Sequence, residues 1–355
     1  MYADADPILD QWHDLADRVG TVFSSRPSFV RSVMRSTPDD CEVVVVFRGG
    51  RVTALAPLVI KKRGPVKLAT VVGANLGVPL ELLSDDAEST DALLAAIAAR
   101  GHMLSADSMI ADRPAIERLR AHPSWTVDMH VRERVPVIDI PAGRGASHLR
   151  GSKSLKRLKR YRRRVDEESS LRFELITDVR HLDARWHDIT SVAADAVHGT
   201  DKVNYLVAPH GGFARDFLRA EARAGRLHIT GLVVDGVWTA HEIDIRTGDR
   251  LEGWLTHYDE RISQLQPGHQ LTEWLADNHD DLGVVLLDRG VGVNDIKSVW
   301  AKSGYDVLEI SAVPSAWAFS TFWAQALRYY APTVSYLRNT ALAALARLRG
   351  VGGRC

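Results

Sequence analysis

The feature that most constrains this chain is a weak internal repeat of strand-forming runs. In the first copy, residues 42–47 form a β-branched run, Arg48-Gly49-Gly50 a turn, 52–60 a second strand and 66–72 a third. In the second, 227–234 is a strand, Asp235-Gly236 a tight hairpin turn, 237–246 a second strand and 251–257 a third. Each meander leads to a helix-periodic segment, 90–100 and 268–281, and each helix to a short apolar strand, 108–111 and 284–288. Two copies of one unit is the simplest account, although three-strand meanders also recur by coincidence in α+β proteins. At 355 residues the chain exceeds the size at which a single core keeps growing, so two packed units and an appendage are expected. The expected fold is therefore a mixed α/β (α+β) sheet in two tandem halves, 1–145 and 146–312, with a helical tail over 313–355. Pro136 and the run Pro141-Ala142-Gly143-Arg144-Gly145 mark the boundary.

Composition excludes several classes. The 45 acidic residues balance 45 Lys and Arg, so net charge points to no partner. Cys41 and Cys355 are too few for a thiolate metal centre or a disulfide framework, and a reducing compartment fits best. The 14 His show no His-Glu-x-x-His spacing, so no metal is expected. Neither a Gly-x-Ser-x-Gly elbow nor a Walker loop occurs, which weakens hydrolase and nucleoside-triphosphatase readings. An acidic N-terminus without an apolar run, and the lack of any bilayer-length apolar stretch, lead to a cytoplasmic expectation.

Charge is instead local. The segment 152–168 reads as a helix with Leu155, Leu158, Tyr161 or Arg162, and Val165 in one apolar stripe and Lys153, Lys156, Lys159, Arg160, Arg163 and Arg164 elsewhere. Such density suits phosphates of a cofactor or substrate, an anionic lipid surface or nucleic acid; a solvated face is the plainer alternative. No aromatic residues interleave for base stacking, DNA is not expected and tRNA is disfavoured. Residues 311–355 contain no Asp or Glu, and their aromatics and leucines predict two amphipathic helices broken at Pro332. They suit packing on the protein body or peripheral contact with the inner face of an anionic membrane.

Two segments of the second half can carry chemistry. Ser263-Gln264-Leu265-Gln266-Pro267-Gly268-His269-Gln270 opens a helix after a strand, where backbone N–H groups of the first turn can accept a phosphate; Gly268, His269 and Gln270 are the candidate cofactor contacts. In Asp288-Arg289-Gly290-Val291-Gly292, the acid ends a strand and glycines two apart allow a close turn. Asp295 then caps a helix on which Lys297 and Trp300 share a face.

The order of these motifs resembles the CelD-like acetyltransferase family of the GNAT superfamily, linked to cellulose and exopolysaccharide biosynthesis. It runs from Asp235-Gly236 and Ala240-His241 through Tyr258-Asp259 and Pro267-Gly268 to Asp288-x-Gly290-x-Gly292, Lys297 and Trp300, and spans about residues 145–305. Ile296 stands where the family usually has an aromatic residue, and Leu265-x-x-Gly268-x-Gln270 replaces the superfamily's Arg/Gln-x-x-Gly-x-Gly/Ala. The resemblance implies two GNAT-like halves, with acyl transfer from acetyl-CoA or another acyl-CoA to an amine or hydroxyl on a small or lipid-linked sugar. His241 is then the expected base, in preference to Glu242, which faces the other side of the strand. Lys297 supplies positive charge to the oxyanion and Tyr258 protonates the leaving thiolate. Asp259, Asp288, Gly290, Gly292, Trp300, Lys156 and Arg160 are expected to contact substrate. The rivals are a Fem-type aminoacyl-tRNA-dependent peptidyl ligase, against which no inserted coiled-coil pair is seen, and a non-catalytic binding module of a polysaccharide machine.

Overall fold

The hairpin turn at Asp235-Gly236 forms as its residues dictate, with φ of 52° and 78° at the two positions, the left-handed pair that matches strand twist. It lies in a computed structural model that describes residues 7–63, 66–166, 170–197, 203–207, 210–292 and 295–317. The helices expected beyond residue 317 fall outside the described residues.

Helices α1 (Pro7–Val19) and α2 (Pro27–Ser36) precede the first meander, β1 (Asp40–Arg48), β2 (Arg51–Arg63) and β3 (Val66–Val71). Next come β4 (Leu83–Ser84), α3 (Ala87–Ala98), β5 (Met103–Ile110), α4 (Pro114–Ala121) and the long β6 (Trp125–Asp139). The chain continues through α5 (Ala146–Leu149), α6 (Ser152–Asp166), β7 (Leu171–Ile176), α7 (Val179–Val197) and α8 (Gly211–Arg223). The second meander is β8 (Leu227–Val234), β9 (Val237–Thr247) and β10 (Arg250–Tyr258), followed by α9 (Pro267–Asp277), β11 (Leu286–Asp288), α10 (Asp295–Trp300) and β12 (Ser303–Pro314). Local chemistry sets several starts. Asp86 caps α3 by accepting from the Ser89 N–H at 2.7 Å, and proline opens α2, α4 and α9, where its missing donor costs nothing.

The strands among the described residues join one mixed sheet in the order β1-β2-β3-β5-β12-β6-β11-β10-β9-β8-β7, with β4 paired to β2. Each meander is antiparallel, and its third strand pairs in parallel with the strand after the helix, β3 with β5 and β10 with β11. The repeat read from the sequence does not anticipate what joins the two sets. β12, from the end of the chain, inserts between β5 and β6, while β6, from the first half, borders β11. The expected division at residue 145 is thus crossed by two exchanged strands. Pairing along β6 and β12 runs from Ser303↔Val137 to Pro314↔Trp125, so neither set leaves an unpaired edge at the seam.

Helices cover both faces. On one, α7 packs against β9 and β10 and α8 against β8; a cluster of Phe23, Phe29, Phe217 and Trp254 ties α2 to α8, with the Phe29 and Phe217 rings 5.2 Å apart edge to face. On the other, α9 sets Leu271 against Leu232 and Ala240. The basic α6 buries the expected Leu155 and Leu158 in the cluster that also holds Leu275 and Trp300.

The seam leaves no room for a side chain at Gly304, where an added Cβ would stand 2.3 Å from the Val135 carbonyl oxygen. Gly304→Ala is expected to lower unfolding free energy by about 1–3 kcal/mol. A urea melt with an unchanged midpoint would show that the β6–β12 ladder is not the tight junction described.

Candidate active site

The parallel ladder of β10 and β11 is three rungs long, Arg250↔Leu286, Leu251↔Leu287 and Glu252↔Asp288, and then stops. β10 bulges between Gly253 and Leu255 and follows β9 to Tyr258, whereas the chain after β11 stays with β6, the Arg289 N–H donating to the Pro136 carbonyl at 3.0 Å. Two parallel strands therefore part at their carboxyl ends, the position at which α/β sheets take ligands. The corresponding place in the first half is filled by its own chain. Leu80 bridges to Met109, its N–H donating to Ser108 O at 2.8 Å and its carbonyl accepting from Ile110 N at 2.9 Å.

Charged side chains gather where the strands part. Glu242 and Asp244 alternate with the apolar residues of β9 and so share a face; both are about 1% exposed. Gly253, opposite Asp244, makes space for them. A Cβ there would lie 3.4 Å from both Glu242 Oε1 and Asp244 Oδ1. The buried guanidinium of Arg289 pairs with Glu242. Glu242 Oε2, Asp244 Oδ2 and Arg289 Nε have no hydrogen-bond partner among the described residues, a costly state for buried polar atoms and one that a bound polar ligand relieves. Burial, reinforced by Glu242, holds the Asp244 carboxyl well above the usual carboxylate range.

Lys297 reaches the same cluster from α10. Its ammonium donates to the carbonyls of Gly290 and Val291 at 3.1 and 3.0 Å. Burial, with Arg289 beside it, brings its pKa down to about 8. Asp288 is buried behind it, accepting from Gly290 N at 2.9 Å, Tyr305 Oη at 2.8 Å and Arg250 Nη1 at 3.3 Å. Gly290 and Gly292 take φ of 66° and 94°, and a Cβ on Gly290 would stand 2.4 Å from Gly253 O. Glu133, lent by β6, accepts from Gly292 N at 2.8 Å.

The structure thus gathers Lys297, Asp288, Gly290 and Gly292 at one place and sets other expected site residues elsewhere. His241 lies on the α7 face, fully buried. Its Nδ1 accepts from the Trp238 indole at 3.2 Å and its Nε2 faces His257 Nδ1 at 3.2 Å. Both ring nitrogens are engaged in the core, and burial, with His257 beside it, holds the imidazole well below its ordinary value. Tyr258 packs beside Leu232, Ala240 and Leu271, and Asp259 caps the turn after β10 by accepting from Arg261 N at 2.9 Å.

At the start of α9, Gly268 gives way to Ile296, whose Cδ1 would be 2.5 Å from an added Cβ. Gln270 turns inward, its amide donating to Leu158 O at 3.1 Å and Leu265 O at 3.2 Å. His269 accepts from the Trp300 indole at 2.8 Å, and the Arg150 guanidinium lies 5.1 Å over that indole. Burial, then Arg150 and Arg157, lowers the His269 pKa, so two guanidiniums lie close to this turn. Lys156 and Arg160 are exposed on α6.

Glu242 was weighed from sequence and set aside for His241; Asp244, Arg289, Glu133, Arg150 and Arg157 were missed. Two acids spaced by two in an otherwise apolar central strand was the available signal for the first pair. Nothing local distinguishes Arg157 from its neighbours, or marks Glu133 as part of a distant site.

Residues 152–298, from α6 to α10, match the family model of the acetyltransferase (GNAT) domain. This segment is a GNAT acetyltransferase domain, and the protein is an enzyme of the acyltransferase class. No curated protein matches the chain by sequence. Among solved structures, FemX is similar with a TM-score of 0.59 at 10% identity, over 88% of this chain and 96% of that one. The L-PGS of Bacillus licheniformis gives 0.55 at 11% identity, over 91% and 96%. The C-terminal domain of a putative lysylphosphatidylglycerol synthetase from Agrobacterium fabrum gives 0.56 at 15%, over 90% and 94%. At these identities the likeness is one of fold.

His241→Gln is expected to lower stability by about 1–3 kcal/mol, through the partner lost to Trp238 in the core, and to leave the acid limb of the pH–rate profile in place. A flattened acid limb with unaltered stability would restore His241 as the base.

Proposed function

We propose that the protein moves an acyl group, acetyl in the simplest case, from an acyl-CoA thioester to an amine or hydroxyl on a sugar of an envelope or extracellular polysaccharide precursor. One observation carries the chemistry: within a GNAT domain, the parting of β10 and β11 is lined by Glu242, Asp244, Arg289 and Lys297. The sugar acceptor rests on the resemblance of the motif order to the CelD-like family. The tandem halves, a cytoplasmic site of action and contact of 313–355 with the inner membrane face belong to the same reading.

Bound acyl-CoA supplies the electrophilic carbonyl; the chain's own residues supply the rest. Asp244, its proton affinity raised by burial, accepts the acceptor's proton as the new acyl bond forms and returns it to the thiolate released as the thioester C–S bond breaks; Glu242, paired with Arg289, lies beside it. The Lys297 ammonium stabilises negative charge at the reacting carbonyl oxygen in a site where buried neighbours amplify its effect. The unpaired polar atoms at the strand break and the cations Arg150 and Arg157 near the first turn of α9 fit a polar, phosphate-bearing donor.

A second reading, aminoacyl transfer from a tRNA ester, is favoured by the likeness of fold to FemX across 88% of the chain. Calorimetric titration with acetyl-CoA and with aminoacyl-tRNA separates the two; saturable acetyl-CoA binding is expected. Tight aminoacyl-tRNA binding without any response to acetyl-CoA would replace the first reading with the second.

Asp244→Asn is expected to lower kcat by roughly 10²-fold or more while leaving the protein no less stable at pH 7. The sign follows from its raised pKa. The folded state holds this proton more tightly than the unfolded chain, so ionising Asp244 costs stability as pH rises above the unfolded carboxyl range, and Asn removes that cost. An active Asp244→Asn enzyme would remove its role. For Lys297, activity that needs the ammonium should fall as pH rises through about 8, and Lys297→Ala should lose both most turnover and that limb. A wild-type rate that is flat from pH 7 to 9 would contradict this.

A further inference from the structure

Lys297 is placed by a turn that cannot place itself. Its ammonium donates to the carbonyls of Gly290 and Val291 at 3.1 and 3.0 Å, so where the charge sits follows from where those two carbonyls point. Gly290 and Gly292 flank Val291 at φ of 66° and 94°, and glycine has more backbone freedom to lose than any other residue. A turn of this composition keeps one shape only if side chains from elsewhere fix it. The described residues supply two such ties: Asp288 Oδ1 accepts from Gly290 N at 2.9 Å, and Glu133 Oε2 accepts from Gly292 N at 2.8 Å.

Asp288 in turn is oriented by residues of other strands. Its Oδ2 accepts from the phenol of Tyr305 at 2.8 Å and from Arg250 Nη1 at 3.3 Å. Tyr305 belongs to β12, where it pairs with Val135 of β6, and β6 lies between β12 and β11. Its side chain therefore spans β6 to reach the acid. Burial, then Asp288, keeps the Tyr305 proton in place far above the usual phenol range, so this group donates and does not titrate. The Arg250 guanidinium lies 5.9 Å over the phenol ring, and its Nη1 also meets Thr21 O at 3.4 Å, so its hold on Asp288 is shared. The shorter bond to the acid is that of Tyr305. Hydrogen bonds thus run from Tyr305 Oη through the Asp288 carboxylate and Gly290 to Lys297 Nζ.

We propose that Tyr305 is a positioning residue of the active site, which fixes, through Asp288 and the turn at Gly290, where the Lys297 ammonium is presented. Its part in the reaction rests on the reading that Lys297 stabilises the reacting oxygen; its hold on the ammonium does not. Around that ammonium stand Arg289 from the end of β11, Glu242 of β9, Asp288 of β11 and Glu133 of β6. Removing the phenol hydroxyl deletes none of these side chains, so a change in how Lys297 titrates reports the turn and not a missing charge.

The test uses the full chain with isotope-labelled lysine and follows the Lys297 side chain through a pH titration by carbon magnetic resonance, its signal assigned by its absence from Lys297→Ala. The wild-type midpoint should lie at about 8. Tyr305→Phe keeps the ring and removes only the hydroxyl, and a urea melt verifies that it is folded. The loosened turn admits water, and the midpoint should rise by about half a pH unit or more towards that of an ordinary lysine. Gly304→Ala crowds the same ladder at the neighbouring residue and is the control, with a midpoint that should stay with the wild type. Turnover of acetyl-CoA with glucosamine, read as released thiol, should lose about ten-fold in kcat in Tyr305→Phe, with KM for acetyl-CoA nearly unchanged. The midpoint decides the proposal whichever acceptor the enzyme uses. An unmoved midpoint in Tyr305→Phe, or an equal movement in Gly304→Ala, would overturn it, since Tyr305 would then serve only the seam. A moved midpoint with unaltered turnover upholds the hold of Tyr305 on the ammonium and removes Lys297 from the chemistry instead.

Discussion

The antiparallel ladder between β6 and β12 is the constraint on which the rest of the structure depends. Each strand comes from the end of one half and completes the sheet beside the other, so the halves cannot be pulled apart without exposing two unpaired edges. The exchange also reaches the candidate site. β6 holds β11 by three rungs and then accepts the Arg289 N–H at Pro136, and this draws the chain after β11 away from β10. Glu133 on β6 steadies the glycine turn below Lys297. A second tie runs the other way, the buried Glu252 of β10 accepting from the Phe23 N–H at 3.0 Å.

Against that scaffold, the cluster of Glu242, Asp244, Arg289 and Lys297 is a local departure from what stability alone favours. Ionised groups taken out of water are costly even when paired, and replacing such a set by well-packed apolar residues is often neutral or stabilising. The first half makes the contrast within one molecule. There Leu80 bridges to Met109 beyond the β3–β5 ladder, whereas the second half keeps buried charge, with polar atoms unpaired among the described residues, where β10 and β11 part.

The histidine pair illustrates how one residue's displacement along a strand decides its role. His241 and Glu242 are neighbours on β9, and alternation sends one to each face. What each meets is set by where the helices and the strand break lie. α7 and α8 seal the His241 side with aromatic and aliphatic residues, and the Trp238 indole and His257 absorb its ring nitrogens. The other side meets Arg289, which arrives from β11 and no sequence neighbour.

The sequence by itself determined the elements of the two meanders, often to within a residue or two of their ends, because β-branched runs, the Asp235-Gly236 turn and prolines at helix starts act through local backbone sterics. It also marked the segment around Asp288, Gly290, Gly292 and Lys297, since glycines at positive φ and a strand-ending acid are local demands too. Only the tertiary structure decided the exchange of β6 and β12, the burial of His241 against Trp238 and His257 on one face with Glu242 beside Arg289 on the other, and the arrival of Glu133 and Arg289 at one place. Those outcomes depend on pairings between residues more than 40 and up to about 190 positions apart, and on which face of a strand is sealed from water. Neither is encoded in the spacing of neighbouring residues.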